Sequence, residues 1–193
     1  MTKSTPYGSL DHPFNPIAVA LGADATFVAR GLDRDPKHLT SVLRRAHQHR
    51  GTSVVEVYQN CNIFNDGAFF DFTEKDTKPQ RTVFLEHGRP LVYDRGGRGL
   101  RLDGLQIVDV DLTSGANSVS DCLVYDETDR TMAGIVARMY GQNDLPRPFG
   151  VFYREDRPAY DAQVTAQVAA VRAKAPTPDL GALLAGSETW VIN

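Results

Sequence analysis

Cysteine is scarce in this chain of 193 residues, with only Cys61 and Cys122. Two cysteines cannot build a disulfide framework, and their rarity points to a reducing compartment. Long apolar runs are missing too. The stretch from Leu10 to Arg30 is broken by Pro13, Pro16 and Asp24, and nothing reaches the roughly 18 consecutive apolar residues of a membrane span. A basic excess is also lacking: 21 Lys and Arg face 24 Asp and Glu, for a net charge of -3. With no basic stripe to neutralise phosphates, neither nucleic acid nor an anionic membrane is expected as a partner. The opening residues carry no charged-then-apolar leader, so no secretory signal is expected. Internal repeats and low-complexity segments are absent from the sequence. What remains, 41% hydrophobic and 23% charged, is ordinary globular usage. The expectation is a soluble, cytoplasmic chain of one domain, or of one domain with an appendage.

The pattern of what is present predicts an α/β chain. The first thirteen residues have no apolar period and read as an extended arm. "NPIAVALGA" predicts a short helix, with Asn15 as cap and Pro16 at the first position. "ATFVARGL" predicts a buried strand. In "DRDPKHLTSVLRRAHQHRG", Asp35 caps, Pro36 opens the first turn and Gly51 closes the end. Leu39, Val42, Leu43 and Ala46 form its expected buried stripe. "TSVVEVYQ" predicts a second strand, of the continuous apolar kind, and the alternation of helix and strand implies a parallel layer. In such sheets ligands sit beyond the carboxyl ends of strands, which directs attention to the loop "QNCNIFNDG". From about Thr77 the pattern turns to short antiparallel strands around Gly- and Asp-rich turns. "DCLVYDETD" predicts a further strand leading into a solvated turn. "RTMAGIVARMYG" predicts a helix with Met132, Ile135, Val136 and Met139 on one face, and "GVFYRE" a strand. Pro158 to Lys174 predicts a helix with Val164, Val168 and Val171 on one stripe, and "TPDLGALLAG" a last helical turn or two.

Few residues signal chemistry. Cys61 lies at the carboxyl end of a predicted strand between Asn60 and Asn62. An iron–sulfur cluster takes four thiolates, so this chain alone cannot build one, although Cys61 is able to supply one ligand. Cys122, inside "CLVYD", reads as core. His47 and His49 are two apart and fall on different helix faces, not at the i, i+4 spacing of a zinc helix. His38, in the first turn of the same helix, reads as a solvated or capping residue. "DRGGRG" (94–99) has no Lys-Ser or Lys-Thr pair and reads as a hairpin turn with glycines at positive φ. Asp109 and Asp111 share one strand face without a convergent acid, base or nucleophile. No nucleophile elbow, zinc-protease motif or dinucleotide fingerprint occurs, so the spacing of residues names no reaction.

Resemblance adds to this. "STPYGSLDHPFNPIAVALGADATFVAR" and "DPKHLTSVLRRAHQHRGTSVVEVYQNCNIFNDGAF" resemble the β subunit of 2-oxoacid:ferredoxin oxidoreductases, most nearly the 2-oxoglutarate type. "LEHGRPLVY", "LVYDE", "PFGVFYRE" and the terminal "ETW" resemble that subunit's C-terminal extension. Full β subunits of this kind carry paired cysteines for a [4Fe–4S] cluster, a "GDGD"-type motif and an Asn for Mg2+ and thiamine pyrophosphate, and a Lys-Gly-Gln segment. None of these motifs occurs here. The resemblance therefore implies the C-terminal half of the subunit. Residues 1–78 would be the C-terminal part of a thiamine-pyrophosphate-binding parallel-sheet domain, including the cluster-ligand loop. Residues 79–193 would be a mixed β/α extension of short antiparallel strands and helices.

The implied activity is coenzyme A-dependent oxidative decarboxylation of a 2-oxoacid, with electrons passed through the cluster to ferredoxin and an α subunit as partner. Cys61 matches the family's fourth cluster ligand. Its context here, Gln59-Asn60-Cys61, replaces the Ser-Pro-Cys of pyruvate-type subunits, and Asn60 and Asn62 are candidate donors to cluster sulfurs. No residue matches a catalytic role or a contact to diphosphate or Mg2+, so the chain alone is expected to be inactive. Two other readings stand beside this one. The first is a non-catalytic interaction domain that binds an α subunit. The second is an unrelated small-molecule-binding α/β protein with its pocket around Cys61.

Overall fold

The computed structural model describes residues 6–8, 10–11, 13–139, 141–142, 144–175, 179–187 and 190. Parts of the "STPYG" arm and of the terminal "ETW" lie outside them. The chain divides into two compact units, Met1–Arg157 and Pro158–Asn193.

The first unit begins with α1 (Pro16–Gly22), whose cap Asn15 accepts from the Ala18 N–H at 3.2 Å. Strand β1 (Phe27–Leu32) is buried at every position. Helix α2 (Pro36–Gln48) is capped by Asp35, which accepts from the His38 N–H at 3.2 Å. Strand β2 (Ser53–Tyr58) runs parallel to β1, with Phe27 opposite Ser53 and Leu32 opposite Tyr58. Two single-turn helices, α3 (Phe70–Thr73) and α4 (Lys78–Arg81), lead into β3 (Thr82–Leu85). Strands β4 (Val92–Tyr93), β5 (Arg98–Asp103) and β6 (Gln106–Asp111) form an antiparallel three-stranded sheet. Helix α5 (Arg130–Ala137) and strand β7 (Arg147–Arg154) complete the unit.

The main sheet has the order β2-β1-β7-β3. It is mixed rather than parallel: β1 with β2 and β3 with β7 are parallel pairs, while β7 runs antiparallel to β1. The expected division at residue 78 crosses this sheet, which takes two strands from each side of it. Both faces are covered. Phe27 and Ala29 of β1 meet Val42 of α2 and Val151 of β7. Val28 and Phe152 face the opposite way, into a larger core with Ile17, Ala133 and Val136 of α1 and α5. A β-bulge opposite Val28 and Ala29 turns both Phe152 and Tyr153 into that core. A third cluster, Leu32, Tyr58 and Phe149 with Phe69, Phe72 and Phe84, closes the carboxyl ends of β1 and β2.

Several local expectations change in three dimensions. On α2 only Val42 is fully buried, and Leu43 is exposed. This helix ends at Gln48, and His49 is its cap. Gly51 instead serves the next turn, at φ +147°, where a Cβ would collide with Thr26 Oγ1. The "CLVYD" segment is no strand. It pairs with the 89–91 segment only around the isolated bridge of Pro90 and Val124, where the Leu91 N–H donates to the Leu123 carbonyl at 2.8 Å and the Tyr125 N–H to the Arg89 carbonyl at 2.9 Å. "DRGGRG" does join β4 to β5 antiparallel, but positive φ falls on Asp94 and Arg95 as well as on Gly96.

In the second unit, α6 (Tyr160–Lys174) and α7 (Leu180–Ala185) are helical as expected. The expected stripe on α6 is not buried: Val168 and Val171 are exposed, as are Leu180, Leu183 and Leu184 of α7. Among the described residues no helix is long and apolar enough to cross a membrane.

Candidate functional site

The loop that follows β2 is fixed at both ends by aromatic packing. Tyr58, the last residue of β2, is buried and stacks on Phe69 with ring centroids 4.4 Å apart. Phe149 meets Tyr58 edge-on at 5.4 Å. Beneath this cluster lies Arg30, wholly buried in β1. Its Nε donates to Glu56 Oε2 at 2.7 Å, its Nη1 donates to the Pro148 carbonyl at 3.1 Å, and its guanidinium lies 5.2 Å from the Tyr58 ring centre. A charge this deep is held only where a counter-charge and hydrogen bonds offset its lost hydration.

Between these anchors the chain turns at Cys61. The Asn65 N–H donates to the Cys61 carbonyl at 2.9 Å, and the two residues form an isolated antiparallel bridge. Cys61 is exposed. Backbone N–H groups of Phe64 and Ile63, with a smaller contribution from Asn65, hold its thiol below the ordinary pKa, while desolvation and the Asp66 carboxylate act the other way. An exposed sulfur with amide hydrogens aimed at it suits a thiolate ligand or nucleophile. Among the described residues no group of three His, Cys, Asp or Glu side chains is placed to hold a metal ion. The donor set here is thus one thiolate, enough for one ligand to a shared cluster and too little for a complete site. Asn60 Nδ2 donates to Asp66 Oδ1 at 2.9 Å. Asn62 is exposed.

The other sequence candidates stay apart from this loop. Cys122 is buried against Gly99, and burial pushes its thiol up. His38 is half-buried, edge-on to Phe84 at 4.8 Å, so neither solvation nor capping describes it. His49 Nε2 and Thr26 Oγ1 are hydrogen-bonded at 2.8 Å, and His47 is exposed. Asp109 is bound by Arg98 and by the Tyr93 hydroxyl, a structural arrangement, whereas Asp111 caps the turn at Thr113. "DETDR" is only partly solvated. Glu127 is buried, accepting from Arg45 Nη2 at 2.6 Å, and Asp129 caps α5.

A cleft of about 340 Å³ opens between α2, the end of β3 and β7, lined in part by His38, Arg45, Glu86 and His87. Two of these are already engaged, Arg45 with Glu127 and His87 with the Glu127 N–H at 3.3 Å.

Arg30 was not singled out by its type or its place in an apolar run. A signal for it exists: Arg30 and Glu56 are each the fourth residue of adjacent parallel strands, and the register pairs them. Asp33, just past β1, had no comparable signal.

No protein-family profile matches the chain. Comparison with curated proteins gives 41% identity over 203 aligned positions, covering all of this chain, to the 2-oxoglutarate oxidoreductase subunit KorB of Mycobacterium tuberculosis. The chain is homologous to β subunits of 2-oxoacid oxidoreductases. It spans 52% of that relative's length. A shorter stretch is 42% identical over 65 residues to the 2-oxoacid:ferredoxin oxidoreductase subunit beta of Saccharolobus solfataricus, covering 34% of this chain and 21% of that one. Among solved structures, a 2-oxoglutarate:ferredoxin oxidoreductase from Magnetococcus marinus, with 2-oxoglutarate, coenzyme A and succinyl-CoA bound, superposes with a TM-score of 0.63. The match covers 98% of this chain and 50% of that one, at 19% identity. At that identity the likeness speaks for the fold, a mixed α/β arrangement with parallel strand pairs.

Proposed function

We propose that the chain is the C-terminal half of the β subunit of a 2-oxoacid:ferredoxin oxidoreductase acting on 2-oxoglutarate, with Cys61 as one ligand of a [4Fe–4S] cluster. The observation that carries this is 41% identity sustained over the entire chain to a 2-oxoglutarate oxidoreductase subunit. Its support at the site is a single exposed cysteine beyond a parallel strand, with amide hydrogens facing the sulfur. In this reading residues 1–78 belong to the thiamine-pyrophosphate-binding domain, and 79–193 form the extension whose strands β3 and β7 complete the same sheet. The partners are an α subunit, ferredoxin, a 2-oxoacid and coenzyme A. When bound, thiamine pyrophosphate with Mg2+ supplies the carbanion chemistry and the cluster carries single electrons.

This chain's own residues have a narrower task. Tyr58 and Phe69 brace the two ends of the loop, Arg30 and Glu56 lock β2 to β1, and Cys61 presents one thiolate. The Mg2+–diphosphate site and the other three thiolates belong to the rest of the assembly, so the chain alone should not reduce ferredoxin.

The test is Cys61→Ser in the intact complex, read by iron content and by the electron paramagnetic resonance signal of the reduced cluster. Loss of roughly one cluster's iron per β subunit is expected. Unchanged iron would overturn the ligand assignment, and ferredoxin reduction by the chain alone would overturn the division of labour.

A further inference from the structure

The Cys61 loop is closed by one side chain. Asn60 Oδ1 accepts from the Gly67 N–H at 2.9 Å, while its Nδ2 donates to Asp66 Oδ1 at 2.9 Å. Its own backbone N–H donates to Asp33 Oδ2 at 3.0 Å. Asp33 is itself fixed, since its N–H donates to the Tyr58 carbonyl at 3.0 Å. Asn60 thus ties the residue before the cysteine to the residues beyond the turn, and ties both to the end of β1. The amides of Ile63, Phe64 and Asn65 lie inside that closed ring.

We infer that Asn60 is a positioning residue: by clasping Asp66 and Gly67 it fixes the course of residues 61–67, and with it the loop amides around Cys61, and it keeps the Asp66 carboxylate hydrogen-bonded. The consequence for electron transfer rests on the cluster-ligand reading given above. The physical argument concerns charge. A reduced cluster carries one more negative charge than an oxidised one, so hydrogen bonds to its sulfurs favour reduction and a nearby free carboxylate opposes it. Opening the clasp removes the first effect and releases the second, and both lower the reduction potential. An Asp at position 60 is nearly isosteric. It can still accept from Gly67, but it sets a second carboxylate against Asp66 where Asn donates.

Two measurements test this with Asn60→Ala, Asn60→Asp and Asn62→Ala as the neighbouring control. In the full 193-residue chain, amide hydrogen exchange over residues 60–67 should quicken severalfold in both Asn60 variants, with β1 and β2 unchanged, and stay at the wild-type rate in Asn62→Ala. In the intact complex, the redox-titrated cluster signal should move to more negative potential in the Asn60 variants while iron content stays that of wild type. Should Asn60→Ala fail to fold, Asn60→Asp carries both readouts alone. Wild-type exchange together with an unmoved potential would overturn the clasp, even if Cys61→Ser loses its iron. If Cys61→Ser keeps its iron, the ligand reading fails, and the exchange result still decides the clasp.

Discussion

The centre of the sheet and the loop at its carboxyl edge are held by different physics, although they lie within one short stretch of chain. At the centre, Arg30 is wholly buried and its charge is met by Glu56 and the Pro148 carbonyl. In the loop, Asn60, Asp66 and Gly67 are joined by hydrogen bonds that lie at or near solvent. A buried charge that loses its partner costs several kcal/mol because water cannot return to it. An exposed hydrogen bond that is broken is largely replaced by water. Changes at the centre should therefore cost stability, and changes in the loop should alter chemistry while stability holds.

The sharpest way to break this comparison is Glu56→Ala, which removes the carboxylate bonded to the Arg30 guanidinium. Denaturant unfolding should show a loss of about 3 kcal/mol or more. By contrast Arg34 and Glu74, each about half exposed at 49% and 48%, form a surface pair. Glu74→Ala in the same assay should cost no more than about 1 kcal/mol. A Glu56 variant as stable as the Glu74 variant would contradict the central role of the buried pair.

Phe69→Ala tests the border between the two regions, since it removes the ring stacked on Tyr58. With Phe69 only partly buried, about 1–3 kcal/mol should be lost, and proteolysis between residues 59 and 69 should quicken. Cys61→Ser lies wholly on the loop side. It should shift unfolding by no more than about 0.5 kcal/mol, a thermal melt within error of wild type.

The smallest effect concerns pH. Burial holds the pKa of His38, and of His49, below the ordinary histidine value. Both therefore favour the neutral, folded form. Their contribution is present above the unfolded pKa of about 6.5 and is lost as pH falls through the folded values. Melting temperatures should drop more steeply below pH 6 in wild type than in His38→Phe, which keeps the ring contact to Phe84 and cannot protonate. Parallel slopes in the two proteins would remove His38 from the account.

Local residues alone determined much of the first third of the fold. The caps at Asn15 and Asp35, the prolines behind them, and the apolar runs of β1 and β2 each act within a few residues, so their elements are legible in the sequence. The position of Cys61 beyond a parallel strand was legible for the same reason. The resemblance to the oxidoreductase β subunits carried by "QNCNIFNDG" and its neighbours is likewise a property of the sequence alone.

Tertiary structure decided what depends on distant partners. It inserted β7 between β1 and β3, antiparallel to β1 and parallel to β3, and the pairing with β1 joins residues more than a hundred positions apart and leaves no local mark. It buried Glu127 within a charged turn because Arg45 reaches it, and it kept Leu43 exposed although its helical spacing matches Val42. It also set the Asn60 side chain against Asp66 and Gly67. A side-chain amide takes whichever partners the folded loop brings within about 3 Å, and spacing along the chain does not set that choice.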